Sequence, residues 1–358
     1  MEAHAAPTAA VKSLPKIRSV CVIGGSGFVG QHIVHQLHDA GYNVRVPTRH
    51  RERAKELIVL PSVDVVEASV HDPLELSRLL VGMDAVINLV GILNEQHVGR
   101  VDKPNARRGD FHEAHVELPR KILHACAGHG IRRLLHMSAL NADATARSGY
   151  LRSKGAGEAI VREADYPHSE NERWYLDGPK FVKGLGMATT VFRPSVIFGR
   201  GDSFLTMLSG LIRKLPVIPL ASPNARFQPI FVEDVARAFV SALENPATFG
   251  EAYDLCGPKV YTLKELVEYV AGLNGRHRRI LPLSDRLSWW NAFLFEHLPG
   301  KLMTRDNYYS MQVPNVCKCA FPAVFGFQPT ALEVVAPHYL SDSASRSRYD
   351  ELRHGARR

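Results

Sequence analysis

The chain has 358 residues, of which 45% are hydrophobic and 22% charged, an ordinary globular composition that allows one large domain or two smaller ones. Its formal net charge of +8 favours anionic partners such as a nucleotide or an acidic lipid. No stretch approaches the roughly 18 apolar residues of a membrane span, and neither an internal repeat nor a nucleic-acid-binding module is found. The 5 cysteines show no paired framework, which suits a reducing compartment. We expect a cytoplasmic protein whose membrane contact, where it occurs, is peripheral and on the inner face of the cytoplasmic membrane or the equivalent matrix side.

The first strong pattern is a glycine-rich stretch near the N-terminus. An apolar run at 20–23 predicts a buried strand, and apolar residues at helical spacing over 29–37 predict a helix. Between them, Gly24, Gly27 and Gly30 have the spacing of a dinucleotide-binding turn, whose backbone N–H groups and helix N-terminus bind a pyrophosphate. The residues expected to contact the nucleotide here are Gly24, Ser26, Gly27, Phe28, Val29 and Gly30.

The end of the second strand predicts which nucleotide is bound. In proteins that bind NAD, an acidic residue after this strand holds the ribose 2′-hydroxyl. Here the strand at 44–47 is followed by Thr48 and Arg49, with further arginines at 51 and 53. Because a basic side chain suits a 2′-phosphate, we expect Arg49 to favour NADP(H) over NAD(H).

The third and fourth strands bring further residues to the same edge of the predicted sheet. The strand at 63–68 is followed by Asp72, which should cap the next helix and also lie at the cofactor. The strand at 85–90 ends at Val90 and Gly91. Since the carboxyl ends of parallel strands meet the cofactor, we expect these two residues to line it.

A possible proton-transfer group follows the fifth strand. The strand at 132–137 ends in Ser138, and the next helix contains Tyr150 and Lys154, four residues apart on one helix face. A lysine beside a phenol favours the phenolate, so Tyr150 is a candidate proton donor or acceptor. Ser138 could hydrogen-bond the same substrate oxygen. The simpler alternative is a surface Tyr–Lys pair.

In their order along the chain, these motifs resemble those of short-chain dehydrogenases/reductases of the extended or atypical branch. The residues that carry the resemblance are Gly24-x-x-Gly27-x-x-Gly30, Asn88-Leu89-Val90-Gly91, Ser138, Tyr150-x-x-x-Lys154, Arg193-Pro194-Ser195-Val196-Ile197-Phe198-Gly199 and Phe231-Val232-Glu233-Asp234-Val235-Ala236. Within that branch, the chain is most similar to the NAD(P)H-binding accessory subunit of respiratory complex I and its bacterial relatives. That group's signatures are Tyr150-Leu151-Arg152-Ser153-Lys154, Ile197-Phe198-Gly199-Arg200-Gly201-Asp202-Ser203-Phe204-Leu205 and Met303-Thr304-Arg305-Asp306.

The resemblance, which covers residues 18–337, implies an α/β fold. We expect a doubly wound parallel sheet of the Rossmann type with a small C-terminal α/β lobe interleaved with it. The expected divisions are a flexible tail at 1–16, a nucleotide-binding domain at 17–202, most of the small lobe at 203–340 and a basic tail at 341–358.

Three functions are compatible with this resemblance. The leading one is an NADP(H)-binding protein tied to respiratory complex I or ubiquinone metabolism, in which the nucleotide is mainly structural and is lined by Lys154, Arg193 and Pro194. The presence of Tyr150 and Lys154 leaves open an active reductase, epimerase or dehydratase on a small carbonyl or sugar-nucleotide substrate. The short interval between Ser138 and Tyr150 weighs against the sugar nucleotide. A third alternative is a scaffold that changes partners with nucleotide state.

The C-terminal half should alternate strands and helices after an insertion-like segment at 165–186. The expected strands are 188–192, 228–232 and 253–256, and the expected helices are 203–214, 233–243 and 263–271. Arg193 and Pro194 should leave the first of these strands, and Thr262 should cap the last helix. The prolines of 215–220 predict a loop over the pocket.

Residues 289–295 concentrate two of the chain's three tryptophans with two phenylalanines, downstream of several arginines. Such a segment is typical either of a helix that contacts a membrane or partner, or of a buried helix of the small lobe. No metal site is expected. The His112 and His115 pair has one spacer too few for a zinc helix, and Cys317 and Cys319 lack the two-residue spacing of a zinc or redox pair.

Overall fold

The computed structural model describes residues 16–95, 109–164, 186–276, 278–296 and 303–341; the predicted tails and the insertion-like segment fall almost entirely outside these ranges. The strands are β1 (Ser19–Ile23), β2 (Asn43–Thr48), β3 (Val63–Glu67), β4 (Ala85–Asn88), β5 (Arg133–Met137), β6 (Ala188–Pro194), β7 (Ile197–Phe198), β8 (Val217–Leu220), β9 (Arg226–Phe227), β10 (Ile230–Phe231), β11 (Glu251–Leu255), β12 (Tyr261–Thr262) and β13 (Arg279–Pro282). The helices are α1 (Phe28–Asp39), α2 (Lys55–Ile58), α3 (Pro73–Leu80), α4 (Asp110–His112), α5 (Leu118–Gly128), α6 (Gly149–Glu163), α7 (Phe204–Lys214), α8 (Val232–Ala242), α9 (Leu263–Leu273), α10 (Asp285–Glu296), α11 (Arg305–Met311), α12 (Leu332–Val335) and α13 (Pro337–Leu340).

The centre of the fold is a seven-stranded parallel sheet in the order β3-β2-β1-β4-β5-β6-β11. The order reverses between β1 and β4, where Ile23 lies beside Asn88, and Asn88 in turn lies beside His136 of β5. In a doubly wound sheet this reversal opens a crevice at the carboxyl ends of the strands. The predicted fold class is therefore confirmed.

Helices cover both faces of this sheet. On one face α1 and α8 bury Ile33, Leu37 and Phe239, and on the other α3, α5 and α6 bury residues such as Leu76 and Ile122. Each side chain of this size contributes about 1.5–3 kcal/mol when fully buried. The two helical layers therefore stabilise the sheet and hold the carboxyl ends of its strands in place.

The segment predicted as a proline-broken loop at 215–220 is partly a strand. Its residues 217–220 form β8, which pairs in parallel with β13. Ile218 and Leu220 point into a buried cluster separate from the two on the central sheet, to which α7, α9, α12 and α13 also contribute; this cluster and the elements packed on it are called the small lobe. Val217 and Pro219 are exposed. A two-stranded sheet has only edge strands, where a proline removes no needed hydrogen bond, and this is why the loop prediction was wrong.

Strand β6 is longer than predicted and includes Arg193 and Pro194, which were expected to leave it. These two residues pair with Asp254 and Leu255 of β11. The added parallel strand from the C-terminal half of the chain keeps the backbone extended up to Pro194. Arg193 therefore lies on the sheet rather than in a loop after it.

A disulfide joins Cys256, just after β11, to Cys317 in the segment after α11. The two cysteines are 61 residues apart in the sequence, and their Cα atoms lie 6.1 Å apart. The prediction that the cysteines have no paired framework was therefore wrong, because the pairing depends on the packing of the small lobe against β11. Among the described residues, Cys21, Cys126 and Cys319 are free.

Two predicted helix starts are confirmed. The carboxylate of Asp72 accepts hydrogen bonds from the amides of Leu74 and Glu75 at the start of α3. The hydroxyl of Thr262 accepts from the amide of Glu265, whose carboxylate accepts in return from the Thr262 amide. Each cap of this kind stabilises its helix by about 1 kcal/mol.

Candidate nucleotide-binding site

The glycine turn between β1 and α1 is closely packed and requires glycine for steric reasons. Gly24 has φ +88°, and a Cβ atom there would lie 3.3 Å from the backbone of Leu89 and Val90 at the end of β4. A Cβ atom on Gly30 would lie 2.3 Å from the carbonyl oxygen of Gly24. Gly30 thus lets α1 pack directly against the turn, as a nucleotide-binding loop needs.

The N-terminus of α1 is free to bind an anion. Gly27 is the N-cap, and within the described ranges no side chain caps the helix; its first turn also contains no acidic residue. Phe28 and Val29 begin the helix, while Ser26 receives a hydrogen bond on its carbonyl oxygen from Gln31. The amides and the helix dipole therefore face the crevice without an internal counter-charge, so the loop fits the pyrophosphate of a dinucleotide.

Arg49 is exposed and follows β2, the strand that pairs with β1. Its charge reaches His71, whose pKa is lowered mainly by burial and to a smaller extent by Lys121 and Arg49. The carboxylate of Asp72, predicted at the cofactor, is bound to the first turn of α3. Arg49 therefore has the freedom to approach a ribose phosphate, whereas Asp72 already serves the helix.

Lys154 joins the ends of two strands. Its side chain is only 3% exposed, and its Nζ donates hydrogen bonds to the carbonyl oxygens of Val90 (3.3 Å) and Met137 (3.1 Å). A Cβ atom on Gly91 would lie 3.0 Å from the same Nζ. Burial lowers the pKa of Lys154 to about 8. The structure thus brings Val90, Gly91 and Lys154 together at the crevice.

Tyr150 lies one turn before Lys154, in the first turn of α6. Its ring centroid is 5.7 Å from that of His115 and 6.1 Å from that of Phe111. Burial, followed by the carboxylate of Asp306, raises the pKa of Tyr150 to about 12. The expectation that Lys154 favours the phenolate is therefore wrong for this arrangement, in which Tyr150 is a neutral phenol at physiological pH.

Ser138, the third predicted catalytic residue, is directed toward Glu158. Its hydroxyl donates to the Glu158 carboxylate at 2.8 Å, and both side chains are buried. The guanidinium of Arg193 binds the same carboxylate through Nε and Nη2, and lies 3.6 Å from Asp254. Ser138 and Arg193 thus both bind the carboxylate of Glu158, a residue that the sequence analysis did not single out.

His115 is a second residue that sequence reasoning missed. The segment Glu113–Glu117 is a π-helical turn between α4 and α5, and it places His115 in the interior. His115 Nε2 accepts a hydrogen bond from the Ile92 amide, and its Nδ1 lies 2.8 Å from the hydroxyl of Ser153 on α6. The glycine at 157 could have indicated this contact in the sequence, because glycine inside a helix often marks close packing against another element. A Cβ atom there would lie 1.8 Å from the His115 carbonyl oxygen.

A cavity of about 290 Å³ opens beside the first turn of α6, between that helix, α4, α10 and α11. It is lined by Asn94, Glu95, Phe111, Arg147, Gly149, Arg152, Glu296, Thr304, Arg305, Asp306 and Tyr309. Three of the four signature residues Met303–Asp306 therefore line this cavity. In the described part of the chain no group of three metal-ligating side chains occurs, and no helix is long and apolar enough to cross a membrane.

Comparison with known proteins agrees with this geometry. The mitochondrial NADH dehydrogenase (ubiquinone) 1 alpha subcomplex subunit 9 of Mus musculus is 29% identical over 322 residues, covering 87% of this chain and 77% of the relative. A ceramide reductase of Caulobacter vibrioides is 27% identical over 266 residues, covering 74% of each chain.

The fold is shared with solved enzymes at lower identity. A dTDP-glucose 4,6-dehydratase from Streptomyces venezuelae, solved with NAD bound, superposes with a TM-score of 0.60 at 20% identity, covering 75% of this chain and 85% of the other. The sequence profile of the NAD dependent epimerase/dehydratase family matches residues 20–256, which is more than half of the chain. This protein therefore belongs to the NAD dependent epimerase/dehydratase family.

Proposed function

We propose that the protein binds NADP(H) in the crevice between β1 and β4, holds it mainly as a structural cofactor, and attaches peripherally to a membrane-bound respiratory or quinone-linked assembly. The observation that carries the nucleotide part is the uncapped N-terminus of α1 behind the Gly24–Gly30 turn, with Arg49 exposed after the neighbouring strand β2. Residues Gly24, Ser26, Gly27, Phe28, Val29 and Gly30 would hold the pyrophosphate, and Val90, Gly91 and Lys154 would face the nicotinamide side.

The choice of NADP(H) over NAD(H) rests on Arg49. The segment after β2 has no acidic residue before Glu52, so nothing replaces the carboxylate that binds a free 2′-hydroxyl. A guanidinium can bind a 2′-phosphate through charge-assisted hydrogen bonds. Such a contact contributes about 1.5–3 kcal/mol, roughly tenfold to a hundredfold in affinity.

The state of the catalytic residues supports a nucleotide that is held rather than turned over. The one hydroxyl hydrogen of Ser138 is donated to Glu158, so it is not directed at a substrate oxygen. Tyr150 is half-buried, and burial together with the Asp306 carboxylate raises its pKa to about 12, so its phenol is neutral and a weak base. When bound, the nicotinamide could supply or accept a hydride. The neutral phenol could give a proton to a reduced carbonyl oxygen, but it is poorly prepared to remove one in the opposite direction, in which the hydride passes to the nicotinamide.

The proposed attachment to a membrane assembly rests on the relatives and on α10. The mouse relative is named as a subunit of a mitochondrial NADH dehydrogenase. Helix α10 packs through the small residues Ser288 and Ala292, while Leu287, Trp290 and Leu294 are 56%, 62% and 60% exposed. One face of α10 is therefore buried, as the alternative of a buried helix of the small lobe predicts, and the other is an exposed apolar stripe of the kind that suits a membrane surface or membrane partner.

A second candidate function is an NAD(P)-dependent reductase of a small or amphiphilic carbonyl substrate. It is favoured by the cavity of about 290 Å³ beside the Tyr150 turn, whose wall includes Arg147 and Arg152. The name of the Caulobacter relative, a ceramide reductase, points in the same direction. In that case Tyr150 would donate the proton to the substrate oxygen, and Lys154 would hold the cofactor ribose.

The two candidates are separated by identifying the nucleotide and testing its turnover. The protein would be purified, its bound nucleotide extracted, and NADPH and NADH titrated by calorimetry into wild type, Gly30→Ala and Gly210→Ala. We expect tighter binding of NADPH, loss of binding in Gly30→Ala, and no change in Gly210→Ala, because a Cβ atom at Gly210 meets open space. NADPH oxidation is then followed with a panel of ketones and aldehydes. Steady consumption would establish the reductase, and unchanged binding in Gly30→Ala would contradict the nucleotide site itself.

A further inference from the structure

Asp306, in the first turn of α11, sits at the N-terminus of α6. Its carboxylate accepts hydrogen bonds from the Ser148 hydroxyl at 2.9 Å, from the Gly149 amide, and from the Tyr150 amide at 3.1 Å. These donors are the N-cap residue and the first two residues of α6. The Asp306 carboxylate thus satisfies two of the free backbone amides at the start of the helix that carries Tyr150. It also holds the Ser148 hydroxyl, which accepts from a third amide, that of Leu151.

The position of Asp306 is itself fixed from both sides. Thr304 and Asn307 form a reciprocal cap at the start of α11, so the turn that carries Asp306 is rigid. The preceding residue, Arg305, donates to the Glu296 carboxylate at 2.8 Å. The turn that carries Asp306 is therefore held in place on both sides.

The charge of Asp306 matters for Tyr150 because of where Tyr150 lies on its helix. An uncapped helix N-terminus carries roughly half a positive charge, which would favour ionisation of an acidic side chain in the first turn. The carboxylate of Asp306 offsets this partial charge at the turn that contains Tyr150. Burial and this nearby negative charge both favour the neutral form of the Tyr150 phenol.

The other charged or titratable groups around Tyr150 do not reverse this effect. Lys154 on α6 directs its ammonium to two carbonyl oxygens. His115 on the π-helical turn is kept neutral because burial lowers its pKa to about 2. Glu95, after β4, accepts from the Phe111 amide and adds negative charge near Asp306, and Arg152 on the outer side of α6 is exposed.

We propose that Asp306 is a positioning residue that locks the first turn of α6 to the small lobe and keeps the Tyr150 side chain a neutral phenol. Through this carboxylate the small lobe adds to the effect of burial and disfavours ionisation of Tyr150. This rests on the proposed function for the assignment of Tyr150 to that site. Its test needs no nucleotide, so a failure of either proposal is recognised separately.

The test measures ionisation of Tyr150 in protein labelled with carbon-13 at the tyrosine ring carbon that bears the hydroxyl, with the signal assigned by its loss in Tyr150→Phe. In wild type, Tyr150 should stay protonated at pH 10, where a free tyrosine is about half ionised. In Asp306→Asn, which keeps an amide oxygen to accept from the backbone but loses the charge, the ionised fraction at pH 10 should rise above that of wild type. The exposed acid Asp285, in the first turn of α10, supplies the matched control Asp285→Asn, which should behave as wild type.

Several results would overturn the proposal. If Asp306→Asn melts at a lower temperature while Tyr150 titrates as in wild type, Asp306 is only a structural cap. If Asp306→Asn does not fold, the wild-type measurement decides alone, because a Tyr150 that is half ionised at or below pH 10 contradicts the proposal. Asp306→Glu keeps the charge with a longer side chain, and Tyr150 should remain protonated at pH 10 in that variant.

Discussion

Ser138 and Glu158 are joined by a buried hydrogen bond of 2.8 Å, and through it the end of β5 is fixed to the third turn of α6. Glu158 also holds Arg193 of β6 through two guanidinium nitrogens. One carboxylate thus ties two neighbouring strands to the helix that carries Lys154. The Glu158 carboxylate thus shapes the crevice. Its partners are Ser138, which was predicted to be catalytic, and Arg193, which was predicted to contact the cofactor.

We predict that Glu158→Gln lowers the free energy of unfolding by about 3 kcal/mol, because removing one partner of a buried ion pair leaves the other charge partly desolvated. The loss should be at the lower end of the range for such pairs, since Arg193 is 27% exposed and keeps Asp254 nearby. Urea denaturation measures the change. Glu163→Gln, further along α6, serves as the control and should cost under 1 kcal/mol. An equal, small effect of both changes would show that the pair contributes little.

Arg49→Ala should weaken binding of NADPH about tenfold to a hundredfold and leave binding of NADH unchanged, because only the extra phosphate loses a partner. Arg51→Ala is the matched control, since Arg51 is also exposed in the same segment. Calorimetric titration of both nucleotides into the three proteins gives the affinities. If wild type binds both nucleotides equally and neither substitution changes this, the assignment of the phosphate contact fails.

The disulfide predicts a redox-dependent stability. Cys256→Ser should lower the free energy of unfolding by about 2–4 kcal/mol, because the bridge closes a loop whose ends are 61 residues apart and so restricts the unfolded chain. Cys319→Ser, at an exposed free cysteine two residues beyond the bridge, should have no such effect. Mild reduction of wild type should reproduce the Cys256→Ser value. A wild-type protein that is equally stable with and without reductant would contradict a formed bridge.

Two buried histidines predict a loss of stability in acid. Burial lowers the pKa of His115 to about 2 and that of His136 to about 3, whereas an unfolded histidine titrates near pH 6.5. Below pH 6.5 the unfolded chain therefore binds more protons than the folded chain, in which these two histidines stay neutral. Each histidine should remove about 1.4 kcal/mol of stability per pH unit between about pH 5.5 and 3.5. The direction follows because the folded-state pKa is the lower one.

The contribution of His136 is measured by His136→Phe. Within the described residues, His136 Nε2 has no hydrogen-bond partner, whereas Nδ1 lies 3.1 Å from the side-chain nitrogen of the buried Asn88. His136→Phe therefore also removes a partner of the Asn88 amide, a loss of stability that does not change with pH. Urea unfolding from pH 7 to 4 should show a shallower acid decline in His136→Phe than in wild type. The exposed His129→Gln should follow wild type. Parallel curves for all three proteins would mean that the pKa of His136 is not lowered in the folded state.

Local patterns in the sequence predicted the nucleotide loop and two helix caps because each depends on residues within about ten positions of one another. The glycine spacing, the Asp72 cap and the i, i+4 placement of Tyr150 and Lys154 are all of this kind. Hydrophobic periodicity likewise predicted most of the strands and helices, and the family resemblance then implied the doubly wound sheet.

What the sequence did not predict depends on contacts between distant residues. The pKa of the Tyr150 phenol, which a neighbouring lysine was expected to lower, is raised by burial and then by Asp306, which lies 156 residues away in the sequence. Cys256 and Cys317 pair only once the small lobe is packed on β11. The π-helical turn that buries His115 is hidden from periodicity because the surrounding helices continue the apolar pattern. Tertiary packing therefore decides the chemistry of the site, whereas local pattern decides its location.

The exposed stripe of α10 gives the last prediction. Leu287, Trp290 and Leu294 recur at intervals of three and four residues on the helix face opposite Ser288 and Ala292. Contact with a membrane would bury this stripe at about 25 cal/mol per Å² of apolar surface, and each nearby arginine would add about 1 kcal/mol on an anionic bilayer. Attachment should therefore be reversible and weakened by salt.

The double variant Trp290→Ser/Leu294→Ser should lose binding to vesicles that contain anionic phospholipid, while its melting temperature and its NADPH affinity stay close to those of wild type. Leu74→Ser is the matched control, because Leu74 is 73% exposed on α3, away from α10, and should leave vesicle binding unchanged. Sedimentation with vesicles at low and high salt measures the attachment. A large fall in melting temperature in the double variant would mean that α10 is a core helix. Wild type that fails to sediment with anionic vesicles would exclude direct lipid binding and leave a protein partner as the only occupant of this face.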